Sequence, residues 1–133
     1  MIVTLAGDLG TGKTTLVRGL LRARGIEGAV KSPTYTLVEH YLISSLYFYH
    51  FDFYRFTNQN EWDSAGMSDY FRGDAVCIVE WPERVGDRLP RPDLALSLSY
   101  ATQDGGRDVV ALAHTPDGAQ CLTLLADGAM QRR

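Results

Sequence analysis

The sequence predicts a three-layer α/β domain with a mixed β-sheet ending in antiparallel hairpins, and three observations carry that prediction. An apolar run, Ile2-Val3-Thr4-Leu5-Ala6, leads directly into a glycine loop and then into helical periodicity, the order of a buried strand feeding a helix. A second apolar run, Ala75 to Val79, meets its first polar residue only at its C-terminal end, in Glu80-Trp81-Pro82. Two pairs of β-rich segments, 35–42 with 46–54 and 94–100 with 108–114, are each joined by a short polar turn.

In chain order, Ile2 to Ala6 reads as a buried strand. Lys13 to Arg24 reads as a helix with Leu16, Leu20 and Ala23 facing inward and Gly25 as its stop. Arg18 and Arg22 lie four apart on it and read as a solvated face. Ser32-Pro33-Thr34 opens an extended stretch, because the residue before proline avoids the helical region. The first hairpin turns at Ser44-Ser45, and its second strand places Tyr47, Tyr49, Phe51 and Phe53 on one face, with Phe48, His50, Asp52 and Tyr54 on the other. Asn60 to Arg72 reads as one or two short helices broken near Gly66, and Arg84 to Pro92 as a proline-punctuated loop. The second hairpin turns at Asp104-Gly105-Gly106, Cys121 to Leu125 adds a last strand, and 127–133 is a frayed tail. No internal repeat or linker divides the 133 residues, which fit one domain, 1–133.

Bulk composition narrows the function. A formal net charge of −3 offers no basic field to hold nucleic acid unaided. Two cysteines, Cys77 and Cys121, without metal-binding spacing point to reduced thiols in a cytoplasmic protein and away from a disulfide framework or zinc site. No apolar run approaches membrane-spanning length.

The sharpest motif is Gly7-Asp8-Leu9-Gly10-Thr11-Gly12-Lys13-Thr14, a complete G-x-x-x-x-G-K-[ST] between a strand and a helix. Its glycines let backbone N–H groups converge on phosphate oxygens, and the helix N-terminus adds unpaired N–H groups and the positive end of its dipole. Lys13 can reach the β- and γ-phosphates of ATP, and the Thr14 hydroxyl can bind Mg²⁺. The candidate nucleotide-binding set is Asp8, Leu9, Gly10, Thr11, Gly12, Lys13, Thr14 and Thr15, which makes the fold a P-loop NTPase-like domain.

A phosphate loop needs a carboxylate from the end of a neighbouring strand, and Glu80 has that place. It either ligates Mg²⁺ with Thr14 or orients the attacking water; the competing reading is a solvated acid where the strand emerges. Asp52, amid aromatics, is costly to bury unpaired, so either Arg55 or a metal or water role must compensate it. His50 on that face reads as a hydrogen-bonded core residue. Thr34 stands where a hydroxyl can sense a γ-phosphate, or is an ordinary strand threonine. Trp62 and Trp81 are core aromatics or neighbours of the nucleotide. A guanine-specific N-K-x-D is absent, and Asp63-Ser64-Ala65-Gly66 spells D-x-x-G only in a polar stretch. A small-molecule kinase with Arg84, Arg88 and Arg91 as its lid is the alternative to a hydrolase.

Gly7 to Thr15, then Lys31-Ser32-Pro33-Thr34-Tyr35-Thr36-Leu37-Val38, His50-Phe51-Asp52-Phe53-Tyr54-Arg55, Gly66-Met67-Ser68-Asp69-Tyr70-Phe71 and Val79-Glu80-Trp81-Pro82, resemble in order the blocks of the bacterial TsaE family. The resemblance covers residues 2 to about 92. It implies an ATPase assisting formation of N6-threonylcarbamoyladenosine in tRNA, docked on the TsaB–TsaD pair and resetting it between turnovers, with tRNA met mainly through those partners. By motif position it implies Lys13 and Thr14 as phosphate and Mg²⁺ residues, Thr34 as the switch residue, and Asp52 and Glu80 as the functional acids. Members of that family usually carry a strand and a helix before the phosphate-loop strand, and this sequence starts on that strand.

Overall fold

The computed structural model describes residues 1–102 and 105–131. Its six strands are β1 (Ile2–Ala6), β2 (Val38–Ile43), β3 (Leu46–Asp52), β4 (Val76–Glu80), β5 (Leu94–Tyr100) and β6 (Arg107–Ala113). They form one sheet in the order β2-β3-β4-β1-β5-β6. The inner strands β3, β4, β1 and β5 are mutually parallel, and antiparallel partners β2 and β6 close the two sides. The mixed sheet with hairpins at its ends is therefore the predicted α/β architecture.

Strand alternation divides the core between the two faces of the sheet. On one face, Leu5, Phe48 and Ile78 meet Val17 and Leu21 of helix α1 (Lys13–Ala23), with Val30 and Ile43 beside them. On the other, Phe51, Cys77 and Val79 pack against Phe53, Phe56, Trp62, Met67 and Val85. Trp62 belongs to helix α2 (Asn60–Ser64), and Met67 to a 3₁₀ turn, Met67–Phe71, so the expected break near Gly66 is present. Phe51 stacks on Phe71 at 4.8 Å between ring centroids and on Phe53 at 5.7 Å, which locks the upper half of β3 into this cluster. Helix α3 (Pro116–Gln131) packs against β6.

Three local expectations are corrected. Cys121 to Leu125 is not a strand but the middle of α3. Thr115 caps that helix by accepting the Gly118 N–H at 3.2 Å, and Pro116 takes the first helical position, where a missing N–H costs nothing. The inward stripe of α1 is Lys13, Val17 and Leu21, while Leu16 and Leu20 are about two-fifths exposed. Residues after Pro33 are not extended: the Leu37 N–H returns to the Pro33 carbonyl at 2.8 Å and Leu37 has φ 68°, so the strand begins only at Val38. At the first hairpin Ser44 and Ser45 both have positive φ, the turn geometry that follows strand twist. The second hairpin pairs Tyr100 with Arg107; of its expected turn, Asp104 lies outside the described residues, as do Arg132 and Arg133 of the expected tail.

Candidate functional site

Parallel pairing brings the C-terminal ends of β1, β3 and β4 side by side, at the edge where open α/β sheets bind ligands. β1 runs into the glycine loop there. Gly7, Gly10 and Gly12 have φ values of 150°, 83° and 104°, which side chains rarely adopt. A Cβ on Gly7 would stand 2.6 Å from the Leu98 carbonyl oxygen and 2.8 Å from Thr11 Oγ1. Glycine is thus required by space as well as by torsion. The loop also rests on the β5–β6 hairpin: Arg107 Nε donates to the Thr11 carbonyl at 3.0 Å while its guanidinium covers the Tyr100 ring.

A cavity of about 280 Å³ opens above this edge. Its lining includes Leu9, Gly10, Gly12, Lys13, Thr14 and Thr15 from the loop and α1, Thr34 from the following loop, Asp52 from β3 and Glu80 from β4. The exposed Asp8 and the buried Thr11 do not line it and shape the loop instead: Thr11 Oγ1 donates to the Asp8 carbonyl at 2.9 Å. α1 has no side-chain cap at its N-terminus, and its first three residues, Lys13, Thr14 and Thr15, line the cavity.

The Lys13 side chain is 5 % exposed. Its ammonium donates to the carbonyls of Gly7 and Asp8 and sits 4.0 Å from the centre of the Trp81 ring. Burial pushes its pKa down, and the negative charges of Glu80, Glu83, Asp52 and Asp8 oppose that shift. Trp81, with φ 58°, turns the chain sharply after Glu80 and presents its ring to the lysine.

Asp52 and Glu80 are direct register partners on β3 and β4 and are both buried. Glu80 receives the Thr14 hydroxyl, 3.0 Å from each carboxylate oxygen, and His50 Nε2 at 2.5 Å from Oε2. Asp52 accepts the Tyr54 N–H at 2.9 Å through one oxygen and the Thr34 hydroxyl at 3.2 Å through the other. Ser32 Oγ lies 2.8 Å from Thr34 Oγ1. Of the two compensations open for Asp52, the salt bridge from Arg55 is not the pairing found: Arg55 instead contacts Tyr35 through its hydroxyl and ring.

Other residues singled out in the sequence fall outside this cluster. Trp62 is core, its indole N–H on Ser68 Oγ at 3.0 Å. Asp63 pairs with Arg88 across the surface, which occupies both the D-x-x-G acid and one arginine of the supposed lid. Arg84 lies over the Tyr54 and Trp81 rings at the cavity mouth. Cys77 is buried, and burial pushes its thiol up to about 11, so it is inert. Sequence reasoning assigned no role to Ser32 or Tyr54, left Trp81 between core aromatic and neighbour of the nucleotide, and read His50 as a hydrogen-bonded core residue. For His50 the strand period had already placed it on Asp52's face; its partner across the sheet, Glu80, is what the structure adds.

The glycines leave room for close backbone approach to an anion, and the half-buried Thr14 hydroxyl with the buried Glu80 carboxylate beside the loop has the oxygen donors a hard divalent cation takes. The residues present therefore fit a nucleotide with Mg²⁺.

Comparison with known proteins agrees with this arrangement. The family model described as "Threonylcarbamoyl adenosine biosynthesis protein TsaE" matches residues 1–109. The tRNA threonylcarbamoyladenosine biosynthesis protein TsaE of Haemophilus influenzae is 42 % identical over 127 residues, covering 96 % of this chain and 79 % of that protein. Its Bacillus subtilis namesake is 39 % identical over 103 residues, covering 77 % of this chain and 64 % of that protein. The crystal structure of Bacillus subtilis YdiB superposes with a TM-score of 0.79 at 30 % identity, covering 96 % of this chain and 78 % of that one. With its glycine loop and two register-paired acids in one cavity, this chain belongs to the TsaE family of threonylcarbamoyladenosine biosynthesis proteins.

Proposed function

We propose that the chain is a Mg²⁺-dependent ATPase of the cytoplasm that assists N6-threonylcarbamoyladenosine formation in tRNA by docking on a TsaB–TsaD pair and resetting it. The observation that carries the reading is the meeting of Lys13, Thr14, Thr34, Asp52 and Glu80 around one cavity at the mouth of the glycine loop. Loop N–H groups and the Lys13 ammonium hold phosphate charge, the lysine exchanging its Gly7 and Asp8 carbonyl partners for phosphate oxygens. Thr14 and Glu80 are the residues that would hold Mg²⁺, which when bound supplies neutralisation of phosphate charge. Asp52, fixed by the Tyr54 N–H, orients Thr34 through its hydroxyl, and the pair positions water at the γ-phosphate or senses its presence. The cavity has no lid of its own among the described residues, so turnover is slow until a partner covers it.

The test is ATP turnover by the chain alone, with TsaB–TsaD, and with that pair plus tRNA, using Lys13→Ala as the blank. Stimulation by the partners that vanishes in the blank is the expected result. Turnover that needs only an added small-molecule acceptor, and ignores the partners, would replace this reading with that of a kinase.

A further inference from the structure

His50 stands out among the buried polar groups because its side chain is committed to one acid and to nothing else. It is 1 % exposed, its Nε2 lies 2.5 Å from Glu80 Oε2, and its Nδ1 has no hydrogen-bond partner. Burying an imidazole nitrogen without a partner is unfavourable, so a histidine serving only the core would be poorly placed here. Its position follows from the sheet: on β3 it is paired with Ile78, and its ring reaches diagonally up the sheet to Glu80, the register partner of Asp52. Glu80 is thereby held from below by β3, while Thr14 of α1 approaches from above, 3.0 Å from both oxygens.

We propose that His50 is a positioning residue for the cation site, its Nε2–H holding Glu80 Oε2 so that the carboxylate, with Oε1 left to a cation, is presented in one orientation. Neighbouring groups that orient a ligating carboxylate commonly change metal affinity or activity by about 10- to 100-fold when removed. Glu80 would otherwise rotate about its terminal torsion, which is broad for a carboxylate. The inference rests on the reading of the cavity as a Mg²⁺–nucleotide site, and goes beyond it in assigning the group that orients the acid.

The test compares His50→Phe, which keeps bulk without a donor, with His50→Gln and His50→Asn. Glutamine can place an N–H where Nε2 stands; asparagine reaches only toward the Nδ1 side. Mg²⁺ titrations of the binding of a non-hydrolysable ATP analogue are followed by calorimetry, alongside partner-stimulated turnover and melting temperature. We expect the Mg²⁺ requirement to rise about 10-fold in the Phe and Asn variants. Analogue affinity without Mg²⁺ should stay within about threefold, and Gln should recover most of the loss. In a Glu80→Gln background, His50→Phe should add less than about twofold, because its effect passes through that carboxylate.

Effects of His50→Phe and Glu80→Gln that multiply, or an unchanged Mg²⁺ requirement in His50→Phe, would overturn the proposal. If His50→Phe fails to fold, equal behaviour of the Gln and Asn variants would overturn it as well. Wild-type protein that binds the analogue with Mg²⁺ yet never turns over ATP would sink the hydrolase reading alone, and the titrations would still decide the role of His50. Wild-type binding without any Mg²⁺ dependence would remove both.

Discussion

Replacing Gly7 by alanine tests the claim that the glycine loop is shaped by space as much as by motif. The added Cβ would stand 2.6 Å from the Leu98 carbonyl oxygen and 2.8 Å from Thr11 Oγ1. Ordinary C···O contacts fall at about 3.3–3.6 Å, so either the loop or β5 must withdraw by roughly 0.7–1 Å. The carbonyl belongs to β5, which β6 pairs at Leu98 with Val109 and β1 pairs up to Ser97, so the strand yields less easily than the loop and the loop moves. A displacement of about 1 Å in a positioning group can cost roughly 100-fold. The φ of 150° adds about 1–3 kcal/mol of strain for any side chain. We therefore expect ATP affinity to fall about 100-fold, with a modest fall in melting temperature, read by calorimetric titration and thermal unfolding of the same samples. An affinity within about threefold of wild type would refute the spatial argument and leave Gly7 as a matter of sequence pattern alone.

Two helix glycines should respond with opposite signs in thermal unfolding. Gly19→Ala, exposed in α1 with nothing within 4 Å of its Cβ, should gain about 0.5–1 kcal/mol. Gly118→Ala would drive its Cβ to 1.9 Å from the Asp93 carbonyl oxygen and should lose about 3 kcal/mol, since α3 must lift off the end of β5. Asp93→Asn removes a carboxylate that accepts the Ile2 N–H and the Thr115 hydroxyl, each at 2.7 Å, and should cost about 2 kcal/mol near neutral pH. Burial alone would raise the Asp93 pKa, but these hydrogen bonds outweigh it and hold the carboxyl below its ordinary 3.8. Its stabilisation is therefore complete above that pH and is lost as pH falls through the folded value, so the melting difference from Asp93→Asn should shrink in acid. Phe51→Ala, at 0 % exposure between Phe53 and Phe71, should cost about 3–5 kcal/mol in denaturant unfolding.

The parallel centre of the fold was legible because β1 and β4 are apolar runs that stop abruptly at Gly7 and Glu80, where buried strands emerge at a ligand edge. The acids were legible as candidates because an apolar or aromatic setting makes a carboxylate need a partner. Which partner was not, since Thr34 meets Asp52 only after Leu37 reverses the chain, a turn that no residue-type signal announces at a leucine. The rotation of α1 was misread by following the leucines. Lys13 must face the loop carbonyls, and that sets Val17 and Leu21 inward by the i, i+4 rule. α3 was missed because Cys121 to Leu125 is apolar enough for a strand, although Thr115-Pro116 had already marked a helix start.

The strand order also dictates when the site can be assembled. β1 lies between β4 and β5, pairing Ile2 with Cys77 and Val3 with Leu94. On a ribosome adding about 5–20 residues per second, Ile2 waits roughly 4–15 s for the strand it pairs with. During that interval the apolar strand and its glycine loop have neither neighbour, while β2 and β3 can already zip as a local hairpin. The glycine loop is thus synthesised well before the two strands that frame it. Chaperone protection of the nascent chain would accordingly matter most before β4 appears.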